Sequence, residues 1–268
     1  MESFKKRLRG LIDLLPYGAD LRLSLGRKRL GITYRGVFQS YSQAMGRSNS
    51  ATDQYDLVNR EKALHEERER ESFDRPIPDF DYPLMFWLNR LLKPAGSIVD
   101  LGGSVGHFFY RSQHYFDHPP GIDWKIAELP EAVELGRRFA VERKATGLSF
   151  FDSGQTPPWR AADILMTAGT LQYMKESIEE VLSRFEIKPD HILINSLPMH
   201  PTHDFWTLQD LDTCEVPYHV FSEPDWLAGM ERQGYRIVDR WSQSRAIQIP
   251  FHPDRGVERY WGFCFARE

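Results

Sequence analysis

The sequence predicts an α/β protein: a doubly wound, mainly parallel seven-stranded sheet with an antiparallel C-terminal hairpin strand, preceded by a helical region. Three observations predict it. From about residue 97 onward, strand-like runs alternate with helical ones, the pattern of a parallel sheet covered on both faces. The first run, "SIVDLGGSVG", ends on an acid and turns through glycines into a helix. The last two runs, "YRIVDRWSQ" and "RYWGFCFARE", are joined by a connector too short for a crossover helix, so they pair as a hairpin.

Bulk properties narrow the class. The chain has 268 residues, 41% hydrophobic and 27% charged, ordinary values for a globular protein with one substantial core. Net charge is −4, which argues against a nucleic-acid partner. Residues 1–30 hold eight Lys/Arg against three acids, a local +5 that leaves −9 for the rest. Cys214 and Cys264 have neither disulfide nor metal spacing, so a reducing cytoplasm is the expected location. No apolar run reaches the roughly 20 residues of a membrane span. Phe4, Leu8, Leu11, Ile12 and Leu15 recur at helical spacing beside Lys5, Lys6, Arg7 and Arg9. A basic amphipathic helix of this kind docks on its own domain, or lies on the inner membrane surface as a peripheral contact.

The elements follow in order. "LVNREKALHEERERESF" (57–73) reads as a charged helix with a solvated face, "DRPIPDFDYP" as a connector and "LMFWLNRLL" as a helix. The break at Lys93-Pro94-Ala95-Gly96 divides residues 1–90, an accessory lid region, from the main domain, 91–268. Strands are expected at "SIVDLG", "DWKIAEL", "GLSFFD", "ADILMTAG" and "DHILINS". Between them fall helices at "VGHFFYRSQHYF", "PEAVELGRRFAVERKA" and "SIEEVLSRFE". A last helix, "SEPDWLAGMERQG", has Ser222 and Asp225 at capping-box spacing and Gly234 as its stop.

A glycine turn between a strand and a helix makes a pocket for a small charged ligand. The nicotinamide fingerprint G-x-G-x-x-G fails here, because Ser104 stands two positions after Gly102. Asp100 at the strand end would repel a pyrophosphate and suit a ligand bearing ammonium and sulfonium charge.

"VDLGGSVG" resembles the first motif of the class I S-adenosylmethionine-dependent methyltransferases, D/E-x-G-x-G-x-G. Asp100, Gly102 and Gly106 match it, Ser104 replaces the middle glycine, and Gly103 lies beside it. The resemblance implies S-adenosyl-L-methionine as cofactor. It also implies an acid at the end of the second strand for the ribose (Glu128, with Leu129 after it in "ELP") and another after the third near the adenine (Asp152). The segment "TAGTLQYM" would line the donor site through Ala168, Gly169, Gln172 and Tyr173. "YRGVFQSYSQAM", "ELPEAVELG", "TAGTLQYM" and "WTLQDLDTCEVPYHVFSEPDWLAGM" are similar to one bacterial family of methyltransferases associated with surface-glycan and related biosynthetic pathways. That likeness runs from about residue 30 to the C-terminus. It departs at Asn195 and Ser196, where an acid and an arginine are expected.

The acceptor site is read from residue chemistry. A hydroxyl acceptor needs a base, and His200, His203 and His219 follow the fifth strand. Tyr82, Trp206 and Tyr218 offer stacking faces for a glycan or small metabolite. The "HPTH" pair has no third ligand in sequence, so no metal site is expected. Two alternatives stay open: a nucleotide-sugar or nicotinamide-dependent oxidoreductase on the same sheet, and a non-catalytic cofactor-binding subunit.

Overall fold

The computed structural model describes residues 33–49, 66–154, 160–211 and 214–268. The basic amphipathic stretch 1–30 and the first half of the charged helix expected over 57–73 lie outside them.

Seven strands make the expected sheet: β2 (Ser97–Leu101), β3 (Asp123–Glu128), β4 (Leu148–Asp152), β5 (Ile164–Ala168), β6 (His191–His200), β9 (Tyr235–Ile247) and β10 (Val257–Arg267). Strands β4, β3, β2, β5 and β6 are parallel neighbours in that order. β10 then runs antiparallel between β6 and β9, which leaves β9 outermost. The reversed strand therefore lies inside the hairpin side of the sheet, one place in from its edge.

Three further strands were not announced by the alternation: β1 (Thr33–Phe38), β7 (Phe205–Asp210) and β8 (Glu215–Ser222). β6 forks the sheet. Residues 191–194 and 197–198 pair with β10, while Met199 and His200 pair with β8. β7 and β1 follow antiparallel beyond β8. The region expected to be helical thus contributes a strand as well as α1 (Tyr41–Met45), α2 (Glu66–Ser72) and α3 (Tyr82–Leu91).

Side-chain alternation builds three layers. Val99, Leu101, Leu165, Ile192 and Ile194 face α6 (Ile178–Ser183) and α7 (Glu223–Arg232), which bury Val181, Leu182, Trp226 and Met230 against them. Ile98, Trp124, Ile126 and Met166 face the other way, toward α3, α4 (His107–Ser112) and α5 (Pro130–Glu142). Phe73, Leu84, Met85 and Leu88 share this second core, so no break in packing separates 66–91 from the main domain. Pro130 opens α5, where its missing N–H costs nothing. The capping box forms at Ser177 and Glu180 of α6 rather than at Ser222, whose hydroxyl makes no cap bond. No described helix is long and apolar enough to cross a membrane.

Candidate functional site

The turn after β2 takes its shape from three left-handed residues. Gly102, Ser104 and Gly106 have φ of 73°, 54° and 102°. Ser104 therefore occupies the conformation a glycine would take, at a steric cost of about 1–2 kcal/mol. Gly103 is required for another reason: a Cβ there would lie 2.4 Å from Asp100 Oδ2. A Cβ on Gly102 would meet Thr170 Oγ1 at 2.1 Å, so this turn and the one after β5 are in close contact. The Gly102 N–H donates to the Ala127 carbonyl at 2.8 Å, tying the turn to β3.

Asp100 is 1% exposed beneath this loop, and Trp124 Nε1 donates to its Oδ2 at 3.3 Å. Burial pushes its carboxyl up to about 7; the Trp124 bond opposes that and the charge of Glu128 adds to it. Glu128 ends β3, 6% exposed, and its Oε2 accepts from the Leu129 N–H at 2.7 Å. Its register partner is Asp152 at the end of β4, whose Oδ1 accepts from the Gly154 N–H. Ala168 ends β5 beside Asn195, and Gly169 (φ 71°) donates its N–H to the Asn195 carbonyl. Gln172 is 3% exposed, and its Oε1 is buried with no hydrogen-bond partner among the described residues. One rim, at the C-terminal ends of β2, β3, β4 and β5, thus gathers Asp100, Gly102, Gly103, Ser104, Gly106, Glu128, Leu129, Asp152, Ala168, Gly169 and Gln172. Tyr173 turns away from it. Its hydroxyl donates to Gln209 Oε1 at 2.8 Å and its ring packs edge-on against Tyr218.

The rim suits a small cationic ligand that also carries hydrogen-bond donors. It offers a buried carboxylate that a positive charge would stabilise, a second acid one strand away, an amide oxygen awaiting a donor, and a tight turn with three glycines.

The acceptor-side candidates are dispersed. His200 Nδ1 accepts the Thr202 and His203 N–H groups, both at 3.1 Å, which leaves Nε2 to donate to the Asp254 carbonyl. Burial also lowers the pKa of this ring. Both nitrogens of His200 are committed to backbone. The His203 ring lies beside it, 4.9 Å between centroids. His219 Nε2 is 2.8 Å from Asp204 Oδ1, and its ring stacks on Trp206. Trp206 and His219 are register partners on one face of the β7–β8 ribbon, whereas Tyr218 projects from the other face into a cluster with Tyr34 and Tyr260. Tyr82 is exposed on α3 against Tyr115.

A wall that the sequence reading missed stands next to the rim. At Asn195 and Ser196 the β6–β10 register slips, and Ser196 takes φ 60°. Asn195 Nδ2 donates to Asp81 Oδ1 at 2.7 Å, and Trp241 Nε1 donates to Asn195 Oδ1 at 2.9 Å. Gln243 Nε2 donates to Ser196 Oγ at 2.8 Å. These bonds flank a groove of about 610 Å³ between the turn at Asp79–Phe80 and the β9 face carrying Trp241, Gln243 and Arg245. The spacing W-x-Q-x-R in a strand was the available signal. Among the described residues, no group of three or more His, Cys, Asp or Glu could hold a metal ion.

No family model matches the sequence, and no curated protein matches it. Solved structures do. Magnesium protoporphyrin IX methyltransferase (ChlM) from Synechocystis PCC 6803 with bound SAM superposes at a TM-score of 0.51 and 14% identity, over 82% of this chain and 100% of that one. The same enzyme with bound SAH gives 0.50 at 13% identity, over 81% and 100%. Together with the strand order and the reversed β10, this likeness shows that the chain has the class I methyltransferase fold.

Proposed function

We propose that the protein transfers a methyl group from S-adenosyl-L-methionine to a hydroxyl of a glycan or small-metabolite acceptor. The observation that carries this is Asp100: a carboxylate buried under a glycine turn has reason to exist where a cation will lie beside it. When bound, the donor supplies an electrophilic methyl carbon on a positively charged sulfur.

The chain's own residues have four tasks in this reading. The 102–106 turn brings backbone close to the donor, with Gly102, Gly103 and Gly106 carrying no side chain. Glu128 accepts hydrogen bonds from the ribose hydroxyls, and the Gln172 amide oxygen accepts from a polar group of the ligand. Asp152 stands at the adenine end. The acceptor hydroxyl must lose a proton as its new bond forms. None of the three histidines lines the groove next to the rim; Asp79 does, and we assign it to take that proton. Alignment of the two reactants then supplies much of the rate enhancement, several kcal/mol in comparable reactions.

Isothermal titration with S-adenosylhomocysteine tests the donor half, on the wild type and on Asp100→Ala and Glu128→Ala. The reading expects micromolar binding by the wild type and at least a tenfold loss in each variant. A wild type that ignores the ligand but binds a reduced nicotinamide would replace this reading with the oxidoreductase one.

A further inference from the structure

We infer that the groove between the Asp79–Phe80 turn and β9 is the acceptor site, and that Arg245 makes it select an acceptor carrying a carboxylate or phosphate. This rests on the methyltransferase reading of the adjoining rim.

The groove touches the rim through Ser196. Its Cβ lies 3.8 Å from where a Cβ on Gly169 would be, and its hydroxyl accepts from Gln243 of the groove wall. Ser196 thus links the groove wall at Gln243 to the turn after β5 at Gly169, which in turn packs on the 102–106 turn through Thr170.

The wall is held in place before any ligand arrives. Trp241 is pinned by its indole N–H to Asn195, and Asn195 in turn bonds Asp81 at the base of the opposite turn. Gly262 leaves room for that indole, since a Cβ there would lie 2.1 Å from Trp241 Nε1. Arg245 follows on the same face of β9, its guanidinium 4.6 Å above the ring of the buried Tyr260. No acid pairs with Arg245 among the described residues. A guanidinium held over an aromatic ring with no acid partner retains N–H donors for a ligand, and a guanidinium binds carboxylate or phosphate by two parallel hydrogen bonds. The facing wall of the groove carries Asp79, whose carboxylate disfavours a second anion and accepts from hydroxyls. Trp241 and Phe80 between them supply apolar faces of the kind that stack on a sugar ring. Together these select an acidic, hydroxyl-bearing acceptor, with the anion at Arg245 and a hydroxyl toward Asp79.

The test uses D-glucuronate, D-glucose 6-phosphate and neutral D-glucose as probes, followed by ligand-observed NMR with and without saturating S-adenosylhomocysteine. The proteins are the wild type, Arg245→Gln, Arg245→Lys, and Arg259→Gln, a neighbouring surface cation outside the groove. The inference expects at least one anionic probe to bind at least tenfold more tightly than glucose. That binding should fall about tenfold or more in Arg245→Gln, survive in part in Arg245→Lys and be untouched in Arg259→Gln. Preference between the two anions decides carboxylate against phosphate. Equal binding of glucose, unchanged anion binding in Arg245→Gln, or no anion binding to the folded wild type would each overturn it. Failure of S-adenosylhomocysteine alone to bind would count against the donor reading, with the anion titration still reading the groove.

Discussion

At the C-terminal end of β2 a carboxyl group is held out of water and, among the described residues, takes one side-chain hydrogen bond, from an indole N–H; it contributes to how the protein responds to pH. The Asp100 carboxyl is pushed up from an ordinary 3.8 to about 7 by burial. The folded state therefore binds more protons than the unfolded one between those values. Stability should fall as pH rises from about 4 through 7, by at most roughly 4 kcal/mol from this group. Urea unfolding at pH 5 and pH 8 checks it: Asp100→Asn should flatten the difference seen in the wild type. A ligand bearing an ammonium group has the opposite dependence, binding more tightly as Asp100 ionises. Gly103→Ala is the sharper steric probe. Its new Cβ would fall on the Asp100 carboxylate, so S-adenosylhomocysteine affinity should drop tenfold or more while the circular-dichroism spectrum stays native. Asp100, Gly102 and Gly106 were legible because their spacing is a motif. Ser104 looked like a departure and proves to hold the same left-handed backbone. The reason for Gly103 lies in three dimensions, and so does the commitment of both His200 nitrogens to backbone groups that are anonymous in sequence.

Elements were readable where one face is apolar and helices separate the strands. The seven strands of the parallel sheet and its hairpin announce themselves by that rhythm. β7 and β8 do not, because they are buried on both faces: Trp206 and Leu208 pack toward α1, and Phe205 and Tyr218 toward β10. With neither alternation nor an intervening helix, and with Pro217 inside β8, the segment gives no periodic signal. β1 is obscured by Gly36 and by an irregular register with β7. Beyond its ladder with β7, one carboxylate clamps β1. Glu215 accepts from Arg35 Nε at 2.6 Å and from Arg35 Nη2, and it also takes the Asn49 N–H at 2.8 Å. Removing the carboxylate of this part-buried pair, which also leaves the Asn49 N–H without it, costs about 1–3 kcal/mol. Glu215→Ala should therefore lower global stability by an amount of that order and release the β1 amides to hydrogen exchange, with the β2–β5 amides changing only as the global stability does. Uniform protection of β1 in that variant would contradict the clamp.

Over the whole molecule, β6 is where the two halves of the proposed chemistry meet. Its early residues hold the parallel sheet and the donor rim, its slip at Asn195 and Ser196 anchors the groove wall, and its last two residues start the β8–β7–β1 extension. The family likeness led to an expected acid and arginine at Asn195 and Ser196; the structure uses these residues to fix the Asp81 turn and β9 instead. A network of hydroxyls ties the extension back to the rim, from Tyr173 through Gln209 and Tyr34 to Tyr260 and Tyr218. The sheet and the rim at the ends of β2 to β5 were thus legible, because strands and helices alternate there and the closing hairpin has a short connector. The groove proposed for the acceptor was not, because it is assembled from distant stretches that meet only in space.

The most direct test of the central claim is a crystal structure of the protein with S-adenosylhomocysteine. The account predicts ligand density along the 102–106 turn, with the ribose against Glu128, the amino group near Asp100 and a contact to the Gln172 amide oxygen. Density elsewhere, or a ligand that leaves Asp100 buried without a charged partner, would contradict it.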